Sequence, residues 1–128
     1  MATTTVRLTI QSPDLTSDAL SITKSFNLTS VSGTGITETS GLNRVNGLNT
    51  ITTIFSAANF SNDEAYLFIT NTDTTKGNQV KLTQGSQKIG VMQGGDSMFL
   101  AVDPSALDIK LTADSAATVV EYQLFHNA

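Results

Sequence analysis

The chain has 128 residues and a net charge of −4, with 14% charged residues, one histidine and neither cysteine nor tryptophan. This length suits a single domain with its own core. The singly scattered basic residues argue against a nucleic-acid-binding surface, and the lack of cysteine excludes disulfides and thiol chemistry.

Alternating apolar and polar residues predict two strands near the N-terminus. The segment from Val6 to Ile10 has the period of two that marks a half-buried strand. Pro13 and two aspartates then predict a turn. From Leu20 the even-numbered residues are again mostly apolar, interrupted by Lys24. We therefore expect a long second strand that is bent or bulged near Lys24.

The next part of the chain is rich in glycine and hydroxyl residues. It predicts a loop over residues 30–41, with a short extended piece around Ile36. Asn46-Gly47 follows, a dipeptide that adopts the left-handed angles of a two-residue hairpin turn. We predict a tight hairpin there, with one longer loop as the alternative.

The C-terminal half contains six segments of strand length. Short turn signals rich in Gly, Asp and Pro separate them. No helical period lasts for three turns, and "DPSALD" offers at most one helical turn. Spacing of about ten residues per strand is typical of an antiparallel sandwich. We predict an all-β, antiparallel two-sheet sandwich of jelly-roll or Greek-key type, with about eight or nine strands and almost no helix. The six segments are "EAYLFITN", "NQVKLTQ", "QKIGVMQ", "DSMFLAV", "LDIKLTA" and "ATVVEYQLF".

The predicted core consists of the apolar residues that alternate along these six strands. They are Leu67, Ile69, Val80, Leu82, Ile89, Val91, Phe99, Ile109, Leu111, Val120, Tyr122 and Leu124.

Few residues in this chain are suited to catalysis. His126 is the third residue from the C-terminus, where we expect an exposed residue in a fraying end rather than a general base. A zinc site needs several His or Cys ligands, and this chain has one candidate. Most carboxylates are at predicted turns, where aspartate bonds its own backbone; they include Asp63, Asp73, Asp96, Asp103 and Asp114. We predict no enzymatic activity, no catalytic residues, no cofactor and no metal site.

Two binding functions are alternatives to a chain without a ligand. Asp and Asn oxygens in "TNTDTTKGN" would suit calcium, but the segment lacks the spaced carboxylates of a known loop, which favours an ordinary turn. A carbohydrate-binding sandwich is the strongest alternative of another class. Its candidate platforms are Tyr66 and Tyr122, although both residues also fit a role in covering the core.

The sequence also bears on location. Its first residues lack the basic and long apolar regions of a secretory signal. No segment approaches the ~20 apolar residues that a spanning helix requires. We therefore expect a protein that is made in the cytoplasm and does not insert into a membrane.

Three segments of the C-terminal half carry a resemblance to a known group of proteins. They are "YLFITNTDTT", "IGVMQGGDSMFLAVD" and "DIKLTADSAATVVEYQLF". In these segments the chain resembles small virion proteins of tailed bacteriophages, many from phages of aquatic bacteria. "ALSI" and "SGLNRV" extend the resemblance over most of the chain. The chain departs from the pattern at Ser97, where a larger aromatic residue is more common.

The resemblance implies a virion structural protein assembled in the host cytoplasm. Its most specific expectation is a capsid decoration, or cement, protein that binds the major capsid protein or other virion proteins as a homotrimer. A tail, neck or fibre-attachment component is the alternative. We expect residues 1–5 to form a flexible N-terminal arm and residues 6–128 to form a single sandwich domain.

Overall fold

The computed structural model describes residues 3–14, 20–29, 36, 38–46, 49–60, 65–115 and 117–127. The chain divides into two compact units, Met1–Ile36 and Thr37–Ala128. This differs from the predicted single domain over residues 6–128, because the first two strands form a unit of their own. Thr4 and Thr5 of the predicted arm belong to the first strand, and Met1 and Ala2 lie outside the described residues.

The first unit contains a long antiparallel hairpin. Strands β1 (Thr4–Ser12) and β2 (Leu20–Leu28) pair from Thr4 opposite Leu28 to Ser12 opposite Leu20, without a register shift. The predicted bulge near Lys24 is wrong, because Lys24 pairs with Leu8 in an unbroken ladder. A single lysine fits such a row, since its aliphatic stem packs while its ammonium group reaches water.

The second unit is built from nine strands and one short 3₁₀ turn in the described part of the chain. All six strands predicted for the C-terminal half are confirmed. The described part of the whole chain has eleven strands, against the eight or nine predicted. Part of this difference comes from two very short strands at the start of the second unit. The elements are β3 (Glu38–Thr39), β4 (Asn43–Val45), β5 (Thr52–Phe55), the 3₁₀ turn Ala57–Asn59, β6 (Ala65–Asn71), β7 (Val80–Gln84), β8 (Gln87–Met92), β9 (Ser97–Val102), β10 (Ile109–Ala113) and β11 (Val120–His126).

These strands form two antiparallel sheets with the connectivity of a jelly roll. One sheet has the order β5-β10-β7-β8, and the other has the order β3-β11-β6-β9 with β4 also paired to β11. From β4 to β11 the chain crosses between the sheets at every connection except the β7–β8 hairpin. A sandwich in which connections cross in this way is a jelly roll, so the predicted fold class is confirmed.

The predicted hairpin at Asn46-Gly47 is wrong. β4 pairs with β11 in one sheet, while β5 pairs with β10 in the other. Gly47 lies outside the described residues, so the turn itself is not described. The Asn-Gly signal concerns only local backbone angles, whereas the partners of the flanking strands are decided by the core that they share.

The core of the second unit lies between its two sheets. Of the predicted core, eight residues are fully buried, and Tyr122 packs against them. Ile89 and Val91 were predicted wrongly, since they are 41% and 40% exposed. The reason is the register of edge strand β8, which shifts after Leu82 and places Gly90 and Met92 opposite the buried residues of β7. The eight are Leu67, Ile69, Val80, Leu82, Ile109, Leu111, Val120 and Leu124.

Candidate interaction surface

An aromatic cluster covers part of the outer face of the sheet that contains β6, β9 and β11. Side chains of a strand alternate between the two faces, and the intervening residues of β6 are buried. Tyr66 and Phe68 therefore point outward. Phe99 pairs with Phe68, and Phe125 pairs with Tyr66. The prediction that Phe99 lies in the core is thus wrong. We call these four residues the aromatic face.

Two rings of the aromatic face stack on each other, and a third is exposed. The Tyr66 and Phe99 rings stack with centroids 6.0 Å apart and an interplanar angle of 10°. Phe68 is 40% exposed, although it lies in the middle of a strand. Exposed apolar side chains that lie in contact mark interaction sites more often than single ones do.

Hydrogen-bonded polar side chains border the aromatic face along the same strands. The hydroxyl oxygens of Thr70 and Ser97 lie 2.9 Å apart, so Ser97 bonds its neighbour at this border. Gln123 Nε2 donates to Thr39 Oγ1 at 2.9 Å. An apolar centre with a polar rim is the usual composition of a protein interface.

A charged pair closes the border on β4 and β11. Arg44 lies opposite Glu121, and its Nη2 is 2.7 Å from Glu121 Oε1. This pair is partly solvated, so it adds little to stability. It does keep the charges at the edge of the surface, away from the four rings.

The segment "TNTDTTKGN", whose oxygens would suit calcium, forms a hydrogen-bonded turn. Asp73 Oδ1 accepts the backbone N–H of Thr75 at 2.8 Å, and Asp73 Oδ2 accepts from Asn78 Nδ2 at 2.9 Å and Thr118 Oγ1 at 3.1 Å. Protein donors thus engage both carboxylate oxygens. These bonds hold the β6–β7 connection against the segment that precedes β11.

Hydrogen bonds lower the pKa of two carboxyl groups at this end of the sandwich. The Thr75 backbone N–H, followed by the Asn78 amide, lowers the pKa of Asp73 from its ordinary value of 3.8. The ammonium group of Lys76, 3.1 Å from Asp96 Oδ1, lowers the pKa of Asp96, and the Gln93 backbone N–H adds to this effect. Both aspartates therefore favour the folded state in their ionised form.

We expect Asp73→Asn to lower the urea midpoint at pH 7 and to weaken its dependence on pH in acid. The Asp73 carboxylate stabilises the fold above its unfolded pKa, and this contribution is lost as the pH falls through the lower folded pKa. Asparagine does not titrate. Its amide NH₂ group would replace the carboxylate oxygen that accepts from Asn78 and Thr118, so a donor would face two donors. Urea unfolding between pH 2 and pH 7 measures both effects.

The control for the change in charge is Asp114→Asn, because Asp114 Oδ1 is 3.7 Å from Lys81 Nζ at a solvated position. Identical acid profiles for Asp73→Asn and the unmodified protein would contradict the role assigned to the Asp73 carboxylate.

His126 lies in β11 rather than in a frayed, exposed end. Its ring meets that of Phe60 edge to face, with centroids 5.3 Å apart. Its Nδ1 is 3.7 Å from Glu38 Oε2, and its side chain is 17% exposed. The expectation of an exposed terminal histidine is thus wrong, because pairing with β6 and β3 extends to the last residue of the strand.

Tyr66 and Tyr122, the two candidate platforms for a sugar ring, have different environments. Tyr122 meets Phe55 edge to face with centroids 5.4 Å apart, and burial raises the pKa of its hydroxyl. It therefore helps to cover the core. Tyr66 belongs to the aromatic face, and of the two tyrosines it is the one that would serve as a platform.

Three of the carboxylates predicted at turns, those of Asp73, Asp96 and Asp103, accept backbone N–H groups of their turns. Asp103 Oδ1 accepts the backbone N–H groups of Ser105 and Ala106 at 3.0 and 3.1 Å. Asp96 Oδ2 accepts the N–H of Gln93 at 3.0 Å. Asp63 lies outside the described residues. In the described part of the chain, His, Asp and Glu form no group of three that would hold a metal ion.

Sequence reasoning missed the aromatic face. The available signal was the pair Tyr66 and Phe68, two residues apart in a strand whose alternate residues are also apolar. Such a strand has two apolar faces, of which only one reaches a two-layer core. Phe99 and Phe125 add to this signal only once the strand order is known.

Comparison with known proteins finds no match, since no family model, no curated protein and no solved structure is significantly similar to this chain. Among the residues that the structure describes, there is no helix with the length and apolar character needed to cross a membrane.

Proposed function

We propose that this chain is a non-enzymatic structural protein of a bacteriophage virion, a capsid decoration protein that binds the lattice of the major capsid protein as a homotrimer. The observation that carries this proposal is the aromatic face, a cluster of four rings on the outer face of a jelly-roll sheet. The resemblance to small phage virion proteins supplies the context, and assembly takes place in the host cytoplasm.

The composition of the aromatic face favours a protein partner. Tyrosine and phenylalanine are enriched at the centres of interfaces, where truncating a hot-spot residue costs about 2 kcal/mol or more. The four rings occupy the centre, and the Arg44–Glu121 pair lies at the border. Docking therefore removes apolar surface from water without stripping water from an unpaired charge.

The proposal predicts that Phe68→Asp weakens binding to capsids assembled without this protein by about 30-fold, which corresponds to a loss of about 2 kcal/mol. Co-sedimentation of the purified protein with such capsids measures this effect. Phe68 is suited to the test because it is exposed, so an aspartate there remains solvated in the folded chain.

Ile89→Asp is the matched control. Ile89 is 41% exposed on β8, in the other sheet, against 40% for Phe68. We expect this control to bind like the unmodified protein. Equal binding by Phe68→Asp and the unmodified protein, or no binding by either, would contradict the assignment of the aromatic face to the capsid.

A carbohydrate-binding module is the second candidate function. The exposed ring of Phe68 and the hydrogen-bonding amide of Gln123, which lie opposite each other in the β6–β11 register, are the observations that favour it. A glycan array separates the two functions, because only a sugar-binding module would give a signal that Phe68→Asp abolishes. A tail, neck or fibre component would instead bind isolated tails, necks or fibres and would not bind capsids.

A further inference from the structure

The hairpin of β1 and β2 has two faces of opposite character. Residues that pair across an antiparallel ladder share a face, so the register places Val6, Leu8, Ile10, Ile22 and Phe26 together. We call this the apolar ribbon face. The opposite face carries polar side chains, namely Thr5, Arg7, Thr9, Gln11, Ser21, Thr23, Ser25 and Asn27.

Three neighbouring side chains of the apolar ribbon face are exposed. Leu8 is 53% exposed, Ile10 is 48% exposed and Ile22 is 43% exposed. A two-stranded hairpin is at best marginally stable in water, and it needs further strands or a second layer against its apolar face. The length and regularity of this ladder therefore indicate that another surface covers the ribbon.

The distribution of charge favours the hairpin of another copy as this surface. Residues 1–36 contain two basic residues, Arg7 and Lys24, and two acidic ones, Asp14 and Asp18, so their net charge is zero. Residues 37–128 contain five basic and nine acidic residues, so they carry the entire net charge of −4. Copies of the second unit repel one another, whereas copies of the hairpin do not.

We propose that the apolar ribbon face packs against the same face of other copies of this chain, and that three hairpins close around a common axis. The inference rests on the homotrimer of the proposed function and names the surface that holds it together. It does not involve the capsid.

The outer edges of the ribbon favour three copies over two. Nine residues at ~3.4 Å each and two strands ~4.8 Å apart give a face of roughly 300 Å². A stable dimer buries about 800 Å² on each partner, so two ribbons packed face to face fall well short. In the described residues the ribbon is a two-stranded sheet with two outer edges. Around a threefold axis β1 of one copy would pair with β2 of the next, which closes an antiparallel barrel without edges.

Lys24 provides a test that distinguishes this partner from others. It lies on the apolar ribbon face opposite Leu8. Around a threefold axis three ammonium groups would point into one apolar interior, where their desolvation weakens the assembly. We therefore expect Lys24→Met to strengthen the trimer. A different protein bound to this face would have to offer a carboxylate to Lys24, and the same substitution would then weaken binding.

The experiment is sedimentation equilibrium of the purified full chain over a concentration series. We expect a trimer whose association is about 30-fold weaker in Leu8→Asp and about tenfold stronger in Lys24→Met. Thr9→Asp is the matched control, because Thr9 is the next residue of β1 and lies on the polar face. It should associate like the unmodified chain.

Several outcomes would overturn the inference. These are a monomer at every concentration, a trimer that Leu8→Asp leaves unchanged, or weaker association of Lys24→Met. Because the Lys24→Met result is a gain, unfolding of a damaged hairpin cannot produce it. Phe68→Asp should remain trimeric while losing capsid binding, so failure of this inference and failure of the proposed function give different results.

Discussion

Gly94→Ala is expected to lower the free energy of unfolding by about 3 kcal/mol, within the range of the most damaging overpacking substitutions. A Cβ atom at Gly94 would lie 2.3 Å from the Thr75 carbonyl oxygen and 2.9 Å from that of Asp73. Both are backbone atoms of the β6–β7 connection. Gly94 lies in the connection between β8 and β9. No side-chain rotation can relieve the clash, so the β6–β7 and β8–β9 connections must separate.

Separation would also break bonds that join these connections. Gly95 N–H donates to the Asn71 carbonyl at 2.9 Å, and Asn71 N–H donates to the Asp96 carbonyl at 2.9 Å. Urea unfolding of Gly94→Ala against Gly77→Ala measures the effect. Gly77 is a suitable control because a Cβ there would meet nothing within 4 Å. Equal stabilities for the two variants would contradict the close approach of the two backbones.

Asn71→Ala is the second substitution with a large expected effect, again about 3 kcal/mol of folding free energy. Asn71 is fully buried, and its Nδ2 donates to the carbonyls of Asn78 and Met92 at 2.9 and 3.3 Å. Its Oδ1 accepts the N–H of Asp73 at 3.1 Å. Alanine removes the amide that bonds the Asn78 carbonyl, the Met92 carbonyl and the Asp73 N–H. Each buried group left unsatisfied costs about 1–3 kcal/mol.

The neighbouring residue provides the control for Asn71. Thr70→Ala removes an exposed hydroxyl that bonds Ser97 on the outer face, so it should cost less than about 0.5 kcal/mol. Thermal and urea unfolding of both variants compare a buried and an exposed hydrogen bond on adjacent residues. A loss below about 1 kcal/mol in Asn71→Ala would show that Asn71 does not stabilise the turn.

The C-terminal strands were predictable from sequence because each carries its own signal. In β6 and β10, alternate residues are buried along the whole strand. β11 shows the same alternation at Val120 and Leu124. Alternation with a period of two is a local property, and the turns between these strands also have local chemistry.

The features that sequence reasoning missed depend on strand pairing. Ile89 and Val91 alternate as core residues do, but the shift after Leu82 places them on the outer face. The break between β4 and β5 likewise depends on which sheet each strand joins. Neither register nor sheet membership is encoded within one strand.

The candidate surface was accessible to sequence reasoning only in part. The poverty of reactive side chains and the turn role of Asp73 and Asp96 follow from residue types and positions. The aromatic face joins residues from β6, β9 and β11, which are up to 59 positions apart between Tyr66 and Phe125. Their approach is a consequence of jelly-roll connectivity, which composition alone does not specify.

The position of β11 has a consequence for biosynthesis. β11 leaves the ribosome after the strands that it joins, and it lies between β6 on one side and β3 and β4 on the other. Until residues 120–126 have emerged, the earlier strands of that sheet lack the neighbour that joins them. Folding of this sheet is thus delayed until β11 has been synthesised. The contacts that close the sheet also span large sequence separations, which slows folding further.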